Sequence, residues 1–355
     1  GYTAGHWPQS MDISTVGGWL ACRGAGQYST RYGKIEDIVV GLEVVLADGR
    51  VIRTEGRGPR AATGPNLTQL FVGSEGTLGV ITEARLRIHP RPGAEARRAF
   101  SFPSFAAGLE ACRLVLRRGA TPAVLRLYDE AESARNFDHP AGCVLIVLDE
   151  ADPAILAATI SVVDDEAAAA GAPVLDEALV ARWLEHRNDV SALAALWRGG
   201  VVVDTVEVAG RWSVLPDLAA DVLAVLHDEP GTLVASVHQS HAYPDGACLY
   251  FTFAGRRPDA GDGPGPDPGP VDDELAWEEA YYRCAWDLVT AAVGRHGAAI
   301  SHHHGIGLNR ARFLPGALGT AFATLGALKT ALDPAGILNP TKLGLDRGPG
   351  PVPWP

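Results

Sequence analysis

Cysteine is scarce: five residues at positions 22, 112, 143, 248 and 284, with no CxxC pair. An odd number without framework spacing excludes a disulfide scaffold and points to reduced thiols, most of them small core residues. No apolar run reaches the length of a membrane span, and no stretch reads as a secretory signal. Positive charge is the minority, with 30 Lys and Arg against 42 Asp and Glu, a net charge of −12. That balance argues against nucleic acid as a partner and requires a local arginine cluster for any anionic substrate. Two nucleotide signatures are also missing: no GxGxxG follows a strand, and no glycine loop ends in the lysine of a P-loop. A single methionine in an Ala-, Gly- and Arg-rich chain suggests GC-rich bacterial coding, so the expected compartment is the cytoplasm. The terminal "VPWP" is not a peroxisomal address.

Apolar residues, by contrast, make up 47% of 355, enough for two domains of ordinary size. The first block, 1–92, reads as sheet with glycine-rich connections. In "DIVVGLEVVLADGRVIRT" apolar and polar residues alternate on both sides of Asp48-Gly49, a hairpin signal. "GVITEARLRIHPRP" alternates again and closes with prolines, as a last strand before a linker. From 93 to 300 the runs "RRAFSF", "AVLRLYD", "CVLIVLDE", "VVVDTVEV", "GTLVASVH" and "ACLYFTFA" read as strands. Helices are expected at 104–117, 153–170, 214–227 and 273–296, and a further one at 314–331. Such interleaving suits an α+β domain, a sheet with helices on one face. The segment 255–273 is too rich in Pro, Gly and Asp to pack and reads as a surface loop, as does the tail 346–355. Residues 301–345 form a separate returning segment.

Three glycine-rich stretches, "SMDISTVGGWLACRGAG", "RYGKIED" and "GSEGTLGVITE", could bring backbone N–H groups close to a ligand, or could be ordinary turns. "GAAISHHHGIG" follows a long helix and reads as a short strand ending in a glycine turn. On a strand His302 and His304 would share one face and His303 the other. Imidazole suits proton transfer near neutral pH. A metal would need further ligands, for which His238 and His241 are candidates. Metal binding, proton transfer and a plain surface duty all stay open on these residues alone. Tyr250, in a β-run, is a core residue or a base, the latter only where neighbours stabilise phenolate. Arg126 in "LRLYDE" and Arg187 in "EHRND" have the planar fork that suits phosphate, or are surface ion pairs with adjacent acids. Glu207 is placed at a strand end, with a structural or a ligand-facing duty.

Together these motifs closely resemble, in the same order, the vanillyl-alcohol-oxidase type of FAD enzymes, and within it most nearly the alkylglycerone-phosphate synthases. The resemblance runs through "GHWPQSMDISTVGGWLACRGAGQYSTRYGKIEDIV", "GPRAATGPNLTQLFVGSEGTLGVITEARLRIHP", "LRLYDE", "VDTVEVAGRW", "YPDGACLYFTFA", "SHHHGIG" and "LDPAGILNPTKLG". It implies the C-terminal part of a PCMH-type FAD-binding domain followed by an α+β substrate (cap) domain with an antiparallel sheet and helices. It implies FAD contacts at Gln9, Ser10, Met11, Asp12, Ile13, Ser14 and Thr15, at Cys22, Arg23, Gly24 and Ala25, and at Glu75, Gly76, Thr77, Leu78, Gly79, Val80 and Ile81. Asn339 and Lys342 are expected to fold back towards the cofactor. The family's pyrophosphate loop would lie upstream of Gly1, so the chain is expected to be a fragment that holds FAD poorly alone. Related 2-hydroxy-acid dehydrogenases carry a glutamate where this chain has His303 and a metal-ligand histidine where it has Tyr250. Those departures argue for the ether-lipid synthase and against a metal site. By the resemblance Tyr250, His302, His303 and His304 handle protons, and Arg126 and Arg187 hold the substrate phosphate. The rival is an FAD-linked oxidoreductase of a 2-hydroxy acid or another alcohol. Either way the partner is a small lipid or hydroxy-acid molecule, with peripheral membrane contact and a homodimer left open.

Overall fold

The computed structural model describes residues 1–55, 58–59, 61–189, 196–258 and 271–345, with side chains from 275 in the last stretch. Most of the loop expected at 255–273, and the tail 346–355, lie outside the described residues. The chain divides into two compact units, residues 1–93 with the stretch from Ile300 onward, and residues 94–299. Among the described residues no helix is long and apolar enough to cross a membrane.

In the first unit β1 (Tyr2–Thr3) pairs with β5 (His89–Pro90). Between them run α1 (Val16–Ala21), α2 (Ser29–Tyr32), α3 (Ile35–Ile38), β2 (Val39–Val45), β3 (Val51–Arg53), α4 (Leu67–Phe71) and β4 (Val80–Leu86). Thr15 starts α1 by accepting the Gly18 N–H at 3.1 Å, and Asn66 does the same for α4 through the Gln69 N–H at 3.2 Å. The expected hairpin joins β2 to β3, with Gly49 at φ 84°. β4 adds on the other side of β2, in the order β3-β2-β4. Alternate apolar residues from these strands and the short helices, among them Leu20, Ile35, Leu42, Val44, Phe71 and Leu78, make this unit's core.

The second unit runs β6 (Ala94–Phe102), α5 (Phe105–Arg117), β7 (Val124–Tyr128), α6 (Glu130–Phe137), β8 (Cys143–Ala151) and α7 (Pro153–Ala169). It continues with β9 (Val174–Leu175), α8 (Ala178–His186), β10 (Val202–Arg211), α9 (Leu215–His227), β11 (Thr232–Tyr243), β12 (Gly246–Gly255) and α10 (Val271–Arg295). All six strand runs read from sequence are strands. With β9 they form one seven-stranded antiparallel sheet in the order β10-β12-β11-β7-β8-β6-β9.

Residues paired across an antiparallel ladder put their side chains on the same face. The pairs Glu207–Tyr250, Tyr250–His238 and His238–Tyr128 therefore form one row on one face, with Arg126 two residues from Tyr128 on the same face. The opposite face is apolar, with Leu125, Leu127, Val237, Leu249, Phe251 and Val206, all buried. It takes helix α5, whose Gly108 packs onto Leu127, and helix α9, whose Leu215 and Leu218 pack onto Gly210. A bulge at Ser240, between the pairs Gln239–Leu249 and His241–Cys248, turns His241 onto the polar face beside His238. Contrary to the expectation from sequence, the helices do not all lie on one side. Trp183 of α8 covers the polar face, its ring 5.5 Å from the Arg126 guanidinium.

From Ile300 the chain re-enters the first unit. The helix expected at 314–331 is two, α11 (Leu314–Leu318) and α12 (Ala321–Leu332), because Gly319 at φ 54° terminates the first.

Candidate active site

On the polar face of the seven-stranded sheet the Arg126 side chain is nine-tenths buried. Its Nε donates to the Tyr128 hydroxyl at 3.1 Å and its Nη2 to His238 Nε2 at 2.8 Å. The other ring nitrogen of His238, Nδ1, stands 2.8 Å from Glu132 Oε2. Glu132 is buried and also accepts the Ser236 hydroxyl at 3.1 Å. His238 is stacked on Tyr250 with centroids 4.9 Å apart at 21°, and lies 5.2 Å from the Tyr128 ring. Both its nitrogens are engaged, which leaves no lone pair for the metal that the sequence allowed there. Arg187, at the C-cap of α8, lies 5.5 Å from the Trp183 ring, the same ring that Arg126 approaches at 5.5 Å. The two arginines that the sequence put 61 positions apart thus meet at one indole.

Tyr250 bonds the Thr205 hydroxyl at 3.0 Å. Burial pushes its phenol above the usual range. The Thr205 bond works the other way, but Glu207 and Asp204 add to the rise. Within its own unit, then, Tyr250 is a neutral hydroxyl and not the stabilised phenolate that a base would require. Glu207 is not at a strand end. It is fully buried in the middle of β10, directly opposite Tyr250, where it disfavours a second negative charge.

In the first unit the histidine triplet is not a strand. Residues 302–304 form bends, with His302 buried, His303 half-buried and His304 exposed. The alternation expected from sequence fails because Gly305 and Gly307 take φ of 81° and 58° and curl the chain. His302 Nδ1 and His303 Nδ1 are 3.0 Å apart, so one ring donates a hydrogen bond to the other. The His303 and His304 rings are 4.5 Å apart, edge to face. Lys34 Nζ donates to the His302 carbonyl at 2.5 Å and pins the turn.

Glu75 organises the glycine turn beyond the triplet. It sits at φ 49°, and its carboxylate accepts the Ile306 N–H at 2.6 Å and the Gly307 N–H at 2.8 Å. A Cβ on Gly305 would stand 2.7 Å from its Oε1, so only glycine fits there. Asn339 Nδ2 donates to the Glu75 carbonyl. Buried Lys329 donates to the Thr77 carbonyl at 3.1 Å, to Asp333 at 2.6 Å and to the Leu338 carbonyl at 2.7 Å. Three distant segments, around 75, 306 and 338, are tied into one surface. Lys342 acts electrostatically on both Glu75 and Cys22.

The segments singled out from sequence are placed unevenly. In 9–15 the side chains of Gln9, Ser10, Asp12, Ile13 and Thr15 are exposed, Met11 and Ser14 half-buried, and Ser14 accepts the Trp19 indole N–H at 2.7 Å. Cys22 is half-buried and Arg23 exposed, while Ala25 is buried. Thr77, Leu78 and Gly79 are buried, with Leu78 in the core cluster. Val80 is exposed and Ile81 half-buried on β4. Sequence reasoning missed Glu132, Trp183, Lys34 and Lys329. For Glu132 a local signal existed, because Asp129 followed three residues later by Glu132 is a helix-start pattern. Its partner His238 lies 106 residues away.

A polar sheet face with a buried arginine and a tyrosine, and a glycine-rich unit built round a buried carboxylate, are consistent with a two-unit enzyme, and comparison with known proteins gives its class. Residues 91–343 match the family model for the C-terminal domain of FAD-linked oxidases, and residues 1–55 match that for an FAD-binding domain. An uncharacterized FAD-linked oxidoreductase of Escherichia coli (strain K12), YgcU, is 32% identical over 354 residues, covering 96% of this chain and 70% of that protein. Alkyldihydroxyacetonephosphate synthase of Dictyostelium discoideum is 30% identical over 381 residues, covering 97% of this chain and 59% of that protein. A solved structure of an alkyldihydroxyacetonephosphate synthase superposes with a TM-score of 0.73 at 27% identity, over 96% of this chain and 61% of the other. This chain belongs to the FAD-linked oxidase family. It is a flavoenzyme with the PCMH-type α+β architecture, and its cofactor is FAD.

The first unit has features that fit a flavin. Ser74 Oγ and both His6 nitrogens are buried with no hydrogen-bond partner among the described residues. Such groups are costly when left unmatched, and a polar ligand edge would satisfy them. The backbone at Arg23, Glu75, Gly76, Gly305 and Gly307 is left-handed, the geometry that exposes successive N–H groups.

Proposed function

We propose that this protein exchanges the ester-linked acyl chain of an acyl-dihydroxyacetone phosphate for a fatty alcohol, giving an ether-lipid precursor. The observation that carries the reading is that Arg126, on the sheet face that also holds Tyr250, and Arg187, at the end of α8, both approach the Trp183 ring. Two planar guanidinium forks brought to one ring suit the several oxygens of a phosphate. In the reaction the bond from carbon to the acyl oxygen breaks, and the alcohol oxygen forms a new bond to the same carbon. The alcohol proton leaves with the carboxylic acid, and there is no net oxidation.

Arg126 and Arg187 hold the phosphate. Tyr250 meets the substrate as a neutral hydroxyl, oriented by Thr205, and serves as a proton donor. The hydrogen-bonded pair His302 and His303 is a second proton-handling group, in the first unit. The backbone turns at 9–15, 22–25 and 75–81, with Asn339 and Lys342, hold the cofactor. Bound FAD would supply an electron-accepting ring against the reacting carbon.

A second reading, an FAD-linked oxidoreductase of a 2-hydroxy acid or other alcohol, is favoured by one observation: the raised phenol of Tyr250 makes it a reluctant base. Anaerobic mixing of the FAD-loaded protein with each substrate class separates the two. Bleaching of the flavin by palmitoyl-dihydroxyacetone phosphate, with fatty acid released and colour restored by a fatty alcohol, is the expected result. Tyr250→Phe should abolish that bleaching while the bound flavin stays. Bleaching by D-lactate with keto acid released would overturn the exchange reading.

A further inference from the structure

The arginine and the tyrosine of the proposed site are both in contact with one side chain, His238, which the sequence offered only as a metal ligand. Guanidinium has only donors, so its 2.8 Å contact with His238 Nε2 requires a lone pair on that nitrogen. The ring proton is then on Nδ1, where it donates to Glu132 at 2.8 Å. The imidazole is therefore neutral and in a single tautomer. Burial, with the Arg126 charge, holds it below the usual histidine range, although Glu132 pulls the other way. Burial works against the Glu132 carboxylate, but the hydrogen bonds from His238 and Ser236 and the nearby Arg135 guanidinium outweigh that and hold it below the usual carboxylate range.

A buried carboxylate is a weak device for stability alone. What this one does is fix which nitrogen of His238 accepts. The neighbouring groups make that choice consequential. With Nε2 an acceptor, Arg126 is held by two bonds, through Nε to Tyr128 and through Nη2 to His238. The same ring is stacked on Tyr250 at 4.9 Å, so a shift of His238 moves the tyrosine as well as the arginine.

We infer that His238, set in its Nδ1–H tautomer by Glu132, is a positioning residue that presents Arg126 to the substrate phosphate and seats the Tyr250 ring beside it. The inference rests on the reading of Arg126 as the phosphate-binding group. In Glu132→Gln the amide can offer its own N–H to Nδ1. The ring proton then moves to Nε2, where it meets the guanidinium donor, and Arg126 is displaced. His238→Phe keeps an aromatic plate for Tyr250 but gives Arg126 no acceptor.

The test uses the full chain loaded with FAD, titrated with dihydroxyacetone phosphate by calorimetry, and ¹⁵N-histidine spectra of the same samples. The wild-type His238 signals should show Nδ1–H and a bare Nε2, a readout that needs no variant to fold. A protonated ring or an Nε2–H tautomer would overturn the inference. Arg126→Met, Glu132→Gln and His238→Phe should each weaken phosphate binding by about tenfold or more, the scale of one lost bond to a charged group. In Glu132→Gln the His238 spectrum should switch to the other tautomer. If Arg126→Met weakens binding but Glu132→Gln and His238→Phe bind as wild type does, the positioning role fails and the phosphate reading stands. If the wild type does not bind, or Arg126→Met binds equally well, both fail together.

Discussion

Glu75 shows how much one side chain can decide. It adopts a left-handed backbone conformation that a non-glycine residue takes at a cost of about 1 kcal/mol or more. In return its two oxygens each accept a backbone N–H from the glycine turn after the histidine triplet. Burial raises its carboxyl above the ordinary range, partly countered by those two N–H groups and by Lys342 and Arg310. Glu75→Gln keeps the shape but sets an amide N–H against one of the backbone donors. A loss of about 1–3 kcal/mol is expected, read as a lower midpoint in urea unfolding, together with weaker FAD binding. An unchanged midpoint would mean that the turn is held by Lys34 and Asn339 alone. The histidines matter at the same scale, because the 3.0 Å pairing of His302 with His303 exists only in the curled conformation that Gly305 and Gly307 permit.

Among the elements, α6 carries a polar network that its eight residues would not suggest. Asp129 caps it, accepting the Glu132 N–H at 2.7 Å, and also accepts the Val237 N–H of β11 at 2.7 Å. Helix start and strand are thereby joined one residue before His238. Burial pushes the Asp129 carboxyl up from 3.8 to about 6, more than its two backbone N–H bonds pull it down. A raised folded-state value means that the protonated form is favoured by folding. Its contribution is complete below the unfolded value near 3.8 and is lost as the pH rises through about 6. Between pH 4 and 7 the stability of the wild type relative to Asp129→Asn should therefore fall by roughly 2–3 kcal/mol, since each tenfold change in proton affinity is worth about 1.4 kcal/mol. Thermal melts of the two proteins across that range check it, and parallel curves would show that Asp129 is ionised throughout.

For the molecule as a whole, the chain divides into two units, the first with the glycine-rich turns and the second with the sheet face that holds Arg126. FAD should stabilise the first unit by mass action, by about 2.7 kcal/mol at a hundred times its Kd. A thermal scan with and without added FAD, followed through calorimetry, should move a transition upward. A scan that FAD does not shift would show that the chain as given does not hold the cofactor. The charge of −12 has a consequence at this scale too. An anionic substrate would meet a net negative molecule, so the proposed reading requires Arg126 and Arg187 to offset that charge locally.

Local sequence patterns specify most of the strands and the longer helices of the second unit. The alternation in "ACLYFTFA" and "VVVDTVEV", the Asp48-Gly49 turn and the helix starts at Ser104 and Asp152 depend on period-two patterning, turn chemistry and capping, which act within a few residues. The glycine-rich stretches and the histidine triplet were legible for the same reason. Only the tertiary structure decided which side chains meet. Ladder register put Glu207, Tyr250, His238 and Tyr128 in one row, and a one-residue bulge at Ser240 turned His241 to join them. Glu132 and His238 are 106 residues apart, Arg126 and His238 are 112, and neither pairing leaves a trace in local composition. The triplet's conformation also escaped, because a strand and a glycine-bent turn share the same letters until Lys34 and Glu75, far upstream, choose between them. Local patterns fix backbone periods, whereas the choice of buried polar partners is made by packing, which brings together groups that the chain keeps apart.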